Sequence, residues 1–432
     1  MSLTTIGLIG LGVLIITLFS GIPVGFAMIL VGFAGVWYVN SFNVAVNFVT
    51  TDLFTTFSSY GFSVAPMFVF MGSLIFYSGA SGRLFNTAYK FFGRMPGGLA
   101  IATVAACTIF AAVSGSCNTS AAAMGKAALP EMKRFGYAPT LASGAIAAGG
   151  ALGPIIPPSV VMILYGILTG ESIGKLFIAG IIPGLLLCII FIVMIYIMCR
   201  INPNLGPAGN ATTWKEKVKS LSGTVEIIIL FALVIGGLFV GLFTPTEAGA
   251  IGALGALIIS LARRSISWDG FKKSLGDTAS LTCMLFVILA GAVIFGHFMA
   301  RTQIPIAAAN WLISIPAPAP VILIIIIIMF AIGGCFIDAI ALILLTLPIL
   351  FPVVVQLGFD PIWFGLIIVL VTDIGLMTPP VGVTAYIISE VGNIPLNTVF
   401  KGITPFLIVL IVVSIVLIFV PEVVTFLPNL MS

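Results

Sequence analysis

The stretch GALGPIIPPSVVMILYG, residues 150–166, puts a glycine, three prolines and a serine inside a segment that is otherwise apolar from Pro139 to Gly170. Counting 222 residues on from Gly153 reaches Gly375, in DIGLMTPPVGVTAYI, residues 373–387. Proline lacks an amide donor and blocks the carbonyl one turn back, while glycine tolerates sharp backbone excursions, so both motifs should unwind a helix near its middle. Freed backbone groups in an apolar segment survive only where protein buries them or a polar cavity receives them. This pattern predicts two helices broken at bilayer depth.

The same offset extends outward. Pro130, Gly136, Pro139, Pro157, Pro158, Gly170, Gly180 and Pro183 fall on Pro352, Gly358, Pro361, Pro379, Pro380, Gly392, Gly402 and Pro405, and Pro23 falls on Pro245. Matches on this scale indicate an internal duplication. The halves are expected at 1–205 and 223–432, joined by a polar linker over 206–222. Each half reads as two spans (3–20 and 22–39; 225–242 and 245–262), an interfacial stretch, a third span (62–80; 280–300) and a glycine-interrupted apolar pair (98–130; 320–352). A proline-broken span (139–170; 361–392) and a last span (175–200; 403–420) complete it.

Composition names the solvent. The chain has 432 residues, 60% hydrophobic and 7% charged, too few polar groups to cover a water-soluble surface. Ten apolar stretches of about 17 residues or more suit a hydrocarbon core of ~30 Å. The polar stretch from Asn202 to Gly223 is too short for a soluble catalytic domain. The net charge of +4 comes from the loops that orient the spans and says nothing of substrate. No nucleic-acid partner is expected, and membrane lipid is the surrounding phase. The six cysteines show no CxxC spacing and read as small packing residues. No Lys or Arg precedes the first apolar stretch, which therefore reads as a retained span rather than a cleaved signal.

Charge decides how the apolar pairs run. Arg83, Lys90 and Arg94 precede the first pair and Lys126, Lys133 and Arg134 close it, so both its ends face the cytoplasm and the pair is a re-entrant hairpin. Five crossings per half then force the second half in from the opposite side, giving an inverted repeat. Of 17 Lys and Arg residues this topology leaves only Lys175 and Arg301 outside. Both termini are expected in the periplasm. The predicted fold class is an all-α polytopic membrane protein with an inverted-topology repeat, about ten spans plus two re-entrant helical hairpins.

Four irregular places carry the chemistry: the hairpin tips SGSCNTS (114–120) and GGCFIDA (333–339), and the breaks GPIIPPS (153–159) and GLMTPPVG (375–382). Their hydroxyl, amide and freed carbonyl oxygens are hard ligands suited to sodium. Ser114, Ser116, Asn118, Gly153, Gly333, Gly334, Asp338, Asp373, Gly375 and Thr378 are assigned to it, with Asp338 at the repeat position of Ser116. Half-helix N-termini starting near Ser159 and Val381 favour a carboxylate. Asn118, Thr119, Pro158, Ser159, Pro380, Val381 and Arg301 are accordingly assigned to an organic anion. Sodium ions, two or more, are the ions expected, with no organic cofactor.

Plainer readings stand beside these. Ser and Thr in membrane helices often bond only to their own backbone. Asp338 and Asp373 lie in apolar helices, where an ionisable group is costly enough to suggest function, although Asp373 could instead accept structural hydrogen bonds near the unwound turn. Glu247 suits a helix N-terminal charge. His297 reads as a packing residue before a proton relay, and Arg301 could equally anchor its span at the headgroups. Asn43 to Ser58 and Ser265 to Asp277 read as interfacial helices, with Trp268, Phe271 and Leu275 set against Lys272 and Lys273.

At SGSCNTSAAAMGKAALPEM, GALGPIIPPSVVMILYG, TPTEAGAIGA, DAIALILLTLPILFPV and DIGLMTPPVGVTAYI, the chain resembles the large, DctM-like membrane subunit of tripartite ATP-independent periplasmic (TRAP) transporters over essentially its full length. The resemblance implies a sodium-driven importer of a small organic acid such as sialic acid or a C4-dicarboxylate, in a bacterial inner membrane. It also implies a small four-helix membrane subunit, a soluble periplasmic binding protein that delivers the substrate, and an elevator-type ion-transporter architecture in which hairpins and broken helices move past a fixed scaffold. With no additional four-helix segment in the sequence, the small subunit is expected as a separate polypeptide. Each sodium entering down ~100 mV contributes about 2.3 kcal/mol before any concentration term.

Three other readings fit less well. A stand-alone dicarboxylate or citrate carrier also uses Ser-, Asn- and Thr-rich hairpin tips, but the TPPVG and IIPPS strings favour the tripartite family. An intramembrane aspartyl protease would need a GxGD context that Asp338 and Asp373 lack. A simple channel does not call for two broken-helix sites in an inverted repeat.

Overall fold

The computed structural model describes residues 1–209, 212–314 and 317–431, and all regular structure among them is helical. Residues 210 and 211 of the expected linker, and Ser432, lie outside the described residues. The first half runs α1 Leu3–Phe19, α2 Val24–Val39, α3 Phe42–Ser58, α4 Val64–Tyr77, α5 Ala80–Phe92, α6 Gly98–Ser114, α7 Cys117–Arg134, α8 Pro139–Ala151, α9 Val160–Thr169 and α10 Ile173–Ile201. A short α11, Trp214–Leu221, follows. The second half runs α12 Val225–Phe239, α13 Pro245–Ala262, α14 Trp268–Arg301, α15 Ile304–Ser314, α16 Ala319–Gly334, α17 Ala339–Gln356, α18 Pro361–Met377, α19 Val383–Gly392 and α20 Leu396–Phe419, with α21 Glu422–Thr425 at the end.

Adding 222 to the first residues of α6, α7, α8 and α9 gives 320, 339, 361 and 382, against observed starts at 319, 339, 361 and 383. The helices stop where the sequence removes their means of continuing. α6 ends on Gly115 in the left-handed region (φ 60°), and α7 restarts on Ser116 as N-cap. α17 restarts on Asp338 as N-cap. The broken spans part at 152–159 and 378–382, and both Pro-Pro bonds there, 157–158 and 379–380, are cis.

One expectation fails. Residues 265–277 do not form a separate interfacial helix: α14 is a single helix of 34 residues from Trp268 to Arg301. Its counterpart is divided into α3 and α4 by a turn at 59–63. The cause is local. In the first half the SSYGFS run, with Pro66 just beyond, interrupts the backbone, whereas DTASLT at 277–282 has neither glycine nor proline. At 1.5 Å per residue α14 is ~51 Å long, well beyond a ~30 Å core.

Packing gives the relative directions. A Cβ on Gly25 would touch Ile288 and one on Gly32 would touch Phe295, so α2 runs parallel to α14. Phe62 meets Phe286 while Tyr77 reaches Asp277, so α4 runs antiparallel to α14. Gly249 lies on Met67 and Gly252 on Met71, making α13 parallel to α4. The equivalent helices α2 and α13 therefore point in opposite directions, and the repeat is inverted. These four helices form one layer, with glycine where two backbones approach closely. The hairpins meet the layer through α6 against α4 and α17 against α14.

By length and apolarity alone, six of the described helices or helix runs could cross a membrane: 60–77, 173–201, 245–262, 268–301, 339–356 and 396–419. The run 339–356 is an arm of the second hairpin. α1 and α2, at 17 and 16 residues, fall just short, and the broken spans are divided. Near the linker, α11 rests on α5, where the Thr87 hydroxyl donates to the Ser220 carbonyl at 2.9 Å. The Thr213 amide and hydroxyl bond Glu216 and hold its carboxyl below its ordinary value.

Candidate functional site

Each hairpin tip rests on the break of its own half. A Cβ on Gly153 would come within 2.7 Å of the Ser116 carbonyl group, and one on Gly115 within 2.5 Å of the Pro158 oxygen. In the other half a Cβ on Gly375 would come within 2.6 Å of Gly334 Cα. Only glycine fits where one backbone lies directly on another. The second arms then cross over: α7 packs on α19 and α17 packs on α9, with Cys117 Sγ 3.3 Å from Thr384 Oγ1. Tips and breaks from both halves thereby meet at one centre.

A cavity of about 60 Å³ lies at that centre, lined by Ser116, Asn118, Pro154, Asp338, Asp373 and the start of α9. Asp373 is 1% exposed and neither of its oxygens has a hydrogen-bond partner. Asn118 Oδ1 is also buried and unpartnered. Asp338 accepts the Ile340 amide at 3.0 Å and faces both this cavity and the next. Buried polar atoms are nearly always satisfied, and an unpaired buried carboxylate is costly, so converging unsatisfied oxygens mark a place built for a positive ligand. Among the described residues no group of three His, Cys, Asp or Glu side chains could hold a metal ion. A cation here would draw on amide, hydroxyl and carbonyl oxygens, donors that suit hard ions.

Two larger cavities flank the centre. One, of about 340 Å³, lies between Ser114, Ser116 and Thr119 of the first tip and Ser73, Asp277 and Ser280 of α4 and α14. The other, of about 640 Å³, is lined by Asn118, Asp338, Cys283, Met284 and the Pro23–Phe26 turn. Both lie within the ~300–1,000 Å³ usual for small-molecule sites.

Other residues singled out in the sequence are engaged locally or lie apart. Ser114 and Ser120 hydroxyls are 2.6 Å from one another. Ser159 is fully buried as the N-cap of α9, accepting the Met162 amide. Thr378 donates to the Ile374 carbonyl at 2.6 Å, and the Gly333 carbonyl already accepts the Phe336 and Ile337 amides. The second half-helix starts at Val383 behind Gly382, two residues later than Val381. Pro380 and Val381 are exposed and outside the three cavities, whereas Pro158 is buried. Arg301 stacks on Phe48, with its guanidinium carbon 5.3 Å from the ring centroid. It sits 13 residues along α14 from Ile288, the nearest residue of that helix lining the three cavities, ~20 Å away at 1.5 Å per residue.

Sequence reasoning missed two features. One is the partner of His297: the ring packs on Phe48 and lies 3.3 Å from the buried Asp52 of α3, as a satisfied packing histidine would, and apart from the central site. Asp277, Ser280 and Met284 form one stripe of α14 facing the cavities. Their i, i+3, i+7 spacing was readable, but the stripe was hidden by dividing this helix at residue 277. Glu247 closes a capping box with Thr244 at the start of α13, as its position suggested.

Residues 11–423 match the family described as tripartite ATP-independent periplasmic transporter, DctM component. The chain is 36% identical over 386 residues to the C4-dicarboxylate TRAP transporter large permease protein DctM of Pseudomonas aeruginosa, covering 89% of this chain and 90% of that protein. It is 34% identical over 418 residues to the sialic acid TRAP transporter large permease protein SiaM of Vibrio cholerae, covering 96% of each. In fold it is similar to the crystal structure of the Alcanivorax borkumensis YdaH transporter, with a TM-score of 0.63 at 14% identity over 87% of this chain and 88% of that one. With matching motifs, near-complete coverage and an inverted helical repeat, the chain belongs to the DctM family of TRAP transporter large permeases.

Proposed function

We propose that this permease imports a small organic acid anion with sodium ions, two or more, receiving its substrate from a periplasmic binding protein and working beside a small four-helix membrane subunit. The carrying observation is the central cavity, where Asp373 and Asn118 present buried oxygens with no partner beside Asp338. Sodium there would satisfy them, and a carboxylate could then sit against the ion and the hydroxyls of the first tip. The relatives are named for C4-dicarboxylate and for sialic acid. What is carried over is their shared class, a small carboxylate.

On this reading the halves 1–205 and 223–432 cross ten times in all, the linker 206–222 lies in the cytoplasm, and both termini lie in the periplasm of a bacterial inner membrane. The hairpins and broken helices move as cargo past the α2, α4, α13, α14 layer. The test is uptake of labelled organic acids into proteoliposomes holding this chain and its small subunit, with and without binding protein and an inward sodium gradient. Uptake that needs both is expected; uptake indifferent to sodium would sink the coupling. In the same assay Arg301→Gln is expected to leave the half-saturating substrate concentration within about twofold, because that charge lies ~20 Å along α14 from the nearest residue lining the three cavities.

A further inference from the structure

The 340 Å³ cavity has two unlike walls. One is the first hairpin tip; the other is the helix layer, with Ser73 on α4 and Asp277 and Ser280 on α14. Asp277 is exposed, and its Oδ2 accepts the Tyr77 hydroxyl at 2.6 Å, which ties the carboxylate to the end of α4. The described residues lining this cavity and its two neighbours include Asp277, Asp338 and Asp373 and no lysine, arginine or histidine. The nearest basic residues on α14 are directed elsewhere. Lys273 pairs with Asp269 at 2.7 Å, and the Lys272 ammonium lies over the Trp268 ring.

Asp338 and Asp373 stand at the centre, where cations would meet them. Asp277 stands on the facing wall among hydroxyls, and among the described residues it forms no ion pair, Lys273 one turn back being engaged by Asp269. A cargo held by its carboxylate at the hairpin tip must present its other end to that wall. A hydroxyl or ammonium group there can donate to Asp277, whereas a second carboxylate meets a like charge with no basic side chain to offset it.

We propose that Asp277 is a selectivity residue of the permease: its cargo is a monocarboxylate whose far end is hydroxyl-bearing or cationic, and dicarboxylates are disfavoured. This rests on the reading that the central cavity takes a carboxylate with sodium. It would set the chain apart from the relative named for C4-dicarboxylate.

Three four-carbon probes of matched length isolate the charge: succinate, its monoamide succinamate, and 4-aminobutanoate. Cys283 is exposed in the adjoining 640 Å³ cavity, next to Met284, which lines both that cavity and the one holding Asp277, while Cys107, Cys117, Cys188 and Cys199 are buried; it reports occupancy from beside the site. Its maleimide labelling, located by peptide mass spectrometry, is followed in the purified complex with sodium against rising concentrations of each probe. Succinate is expected to protect the wild type about tenfold more weakly than the other two, a difference of ~1.4 kcal/mol. In Asp277→Asn, and in Asp277→Ser as a second variant, the three should fall within about twofold of one another. Equal protection by succinate and succinamate in the wild type, or discrimination kept in both variants, overturns the inference and leaves the sodium-coupled reading standing. Protection by none of the three overturns that reading and this inference with it.

Discussion

Asp373→Asn should abolish sodium-driven uptake while leaving the protein folded. The carboxylate is buried without a hydrogen bond, so its charge is an expense in the empty protein and an asset only when a cation is present. Removing one partner of a buried charge pair costs about 2–5 kcal/mol, which is roughly 30-fold or more in sodium affinity. The amide removes the uncompensated charge from the ion-free state, so thermal stability without sodium should be no lower than wild type. Sodium should raise the unfolding midpoint of the wild type and not of the variant. A variant that unfolds earlier without sodium yet keeps its sodium shift would assign Asp373 a purely structural role.

Gly375→Ala is expected to be comparably damaging for a different reason. Its Cβ would lie within 2.6 Å of Gly334 Cα, a backbone atom with no side-chain freedom to yield. Overpacking costs about 1–3 kcal/mol even where side chains can shift. The second hairpin tip must therefore lift from the break, carrying Asp338 away from Asp373. Gly153→Ala should act likewise through Ser116. Gly276→Ala, where the added methyl meets nothing within 4 Å, is the control and should transport normally. If Gly375→Ala transports at the control's rate, the tip does not need to rest on its break.

Much of this was legible in the sequence because the governing signals are local. Clustered proline and glycine at 153–158 and 375–382 interrupt their helices, whereas single prolines such as Pro130, Pro183 and Pro405 are carried inside helices, so the breaks and the 222-residue offset follow from residue identity, as does Asp338 at the repeat position of Ser116. The rest depends on which helices pack together and in which direction. Arg301 looked available to an anion until the continuous α14 carried it ~20 Å from the nearest residue lining the three cavities. Asp277 and Ser73 are brought together by the antiparallel packing of α4 on α14, and Asp52 meets His297 across α3 and α14. These partners lie some 200 residues apart or more and share no motif. Thr378 and Gly333 show another limit: residue type suggests an ion ligand but says nothing of the local bonds, the Thr378 hydroxyl donating to the Ile374 carbonyl and the Gly333 carbonyl accepting the Phe336 and Ile337 amides.

The two Pro-Pro breaks are sequence twins in unequal surroundings, Pro157 and Pro158 enclosed, Pro379 and Pro380 open. Because inversion relates the halves, trading those surroundings would describe the same molecule seen from the other side of the membrane. On the proposed elevator reading, the unequal twins predict a second resting form in which Pro379 and Pro380 are enclosed and Pro157 and Pro158 open, with access on the opposite face.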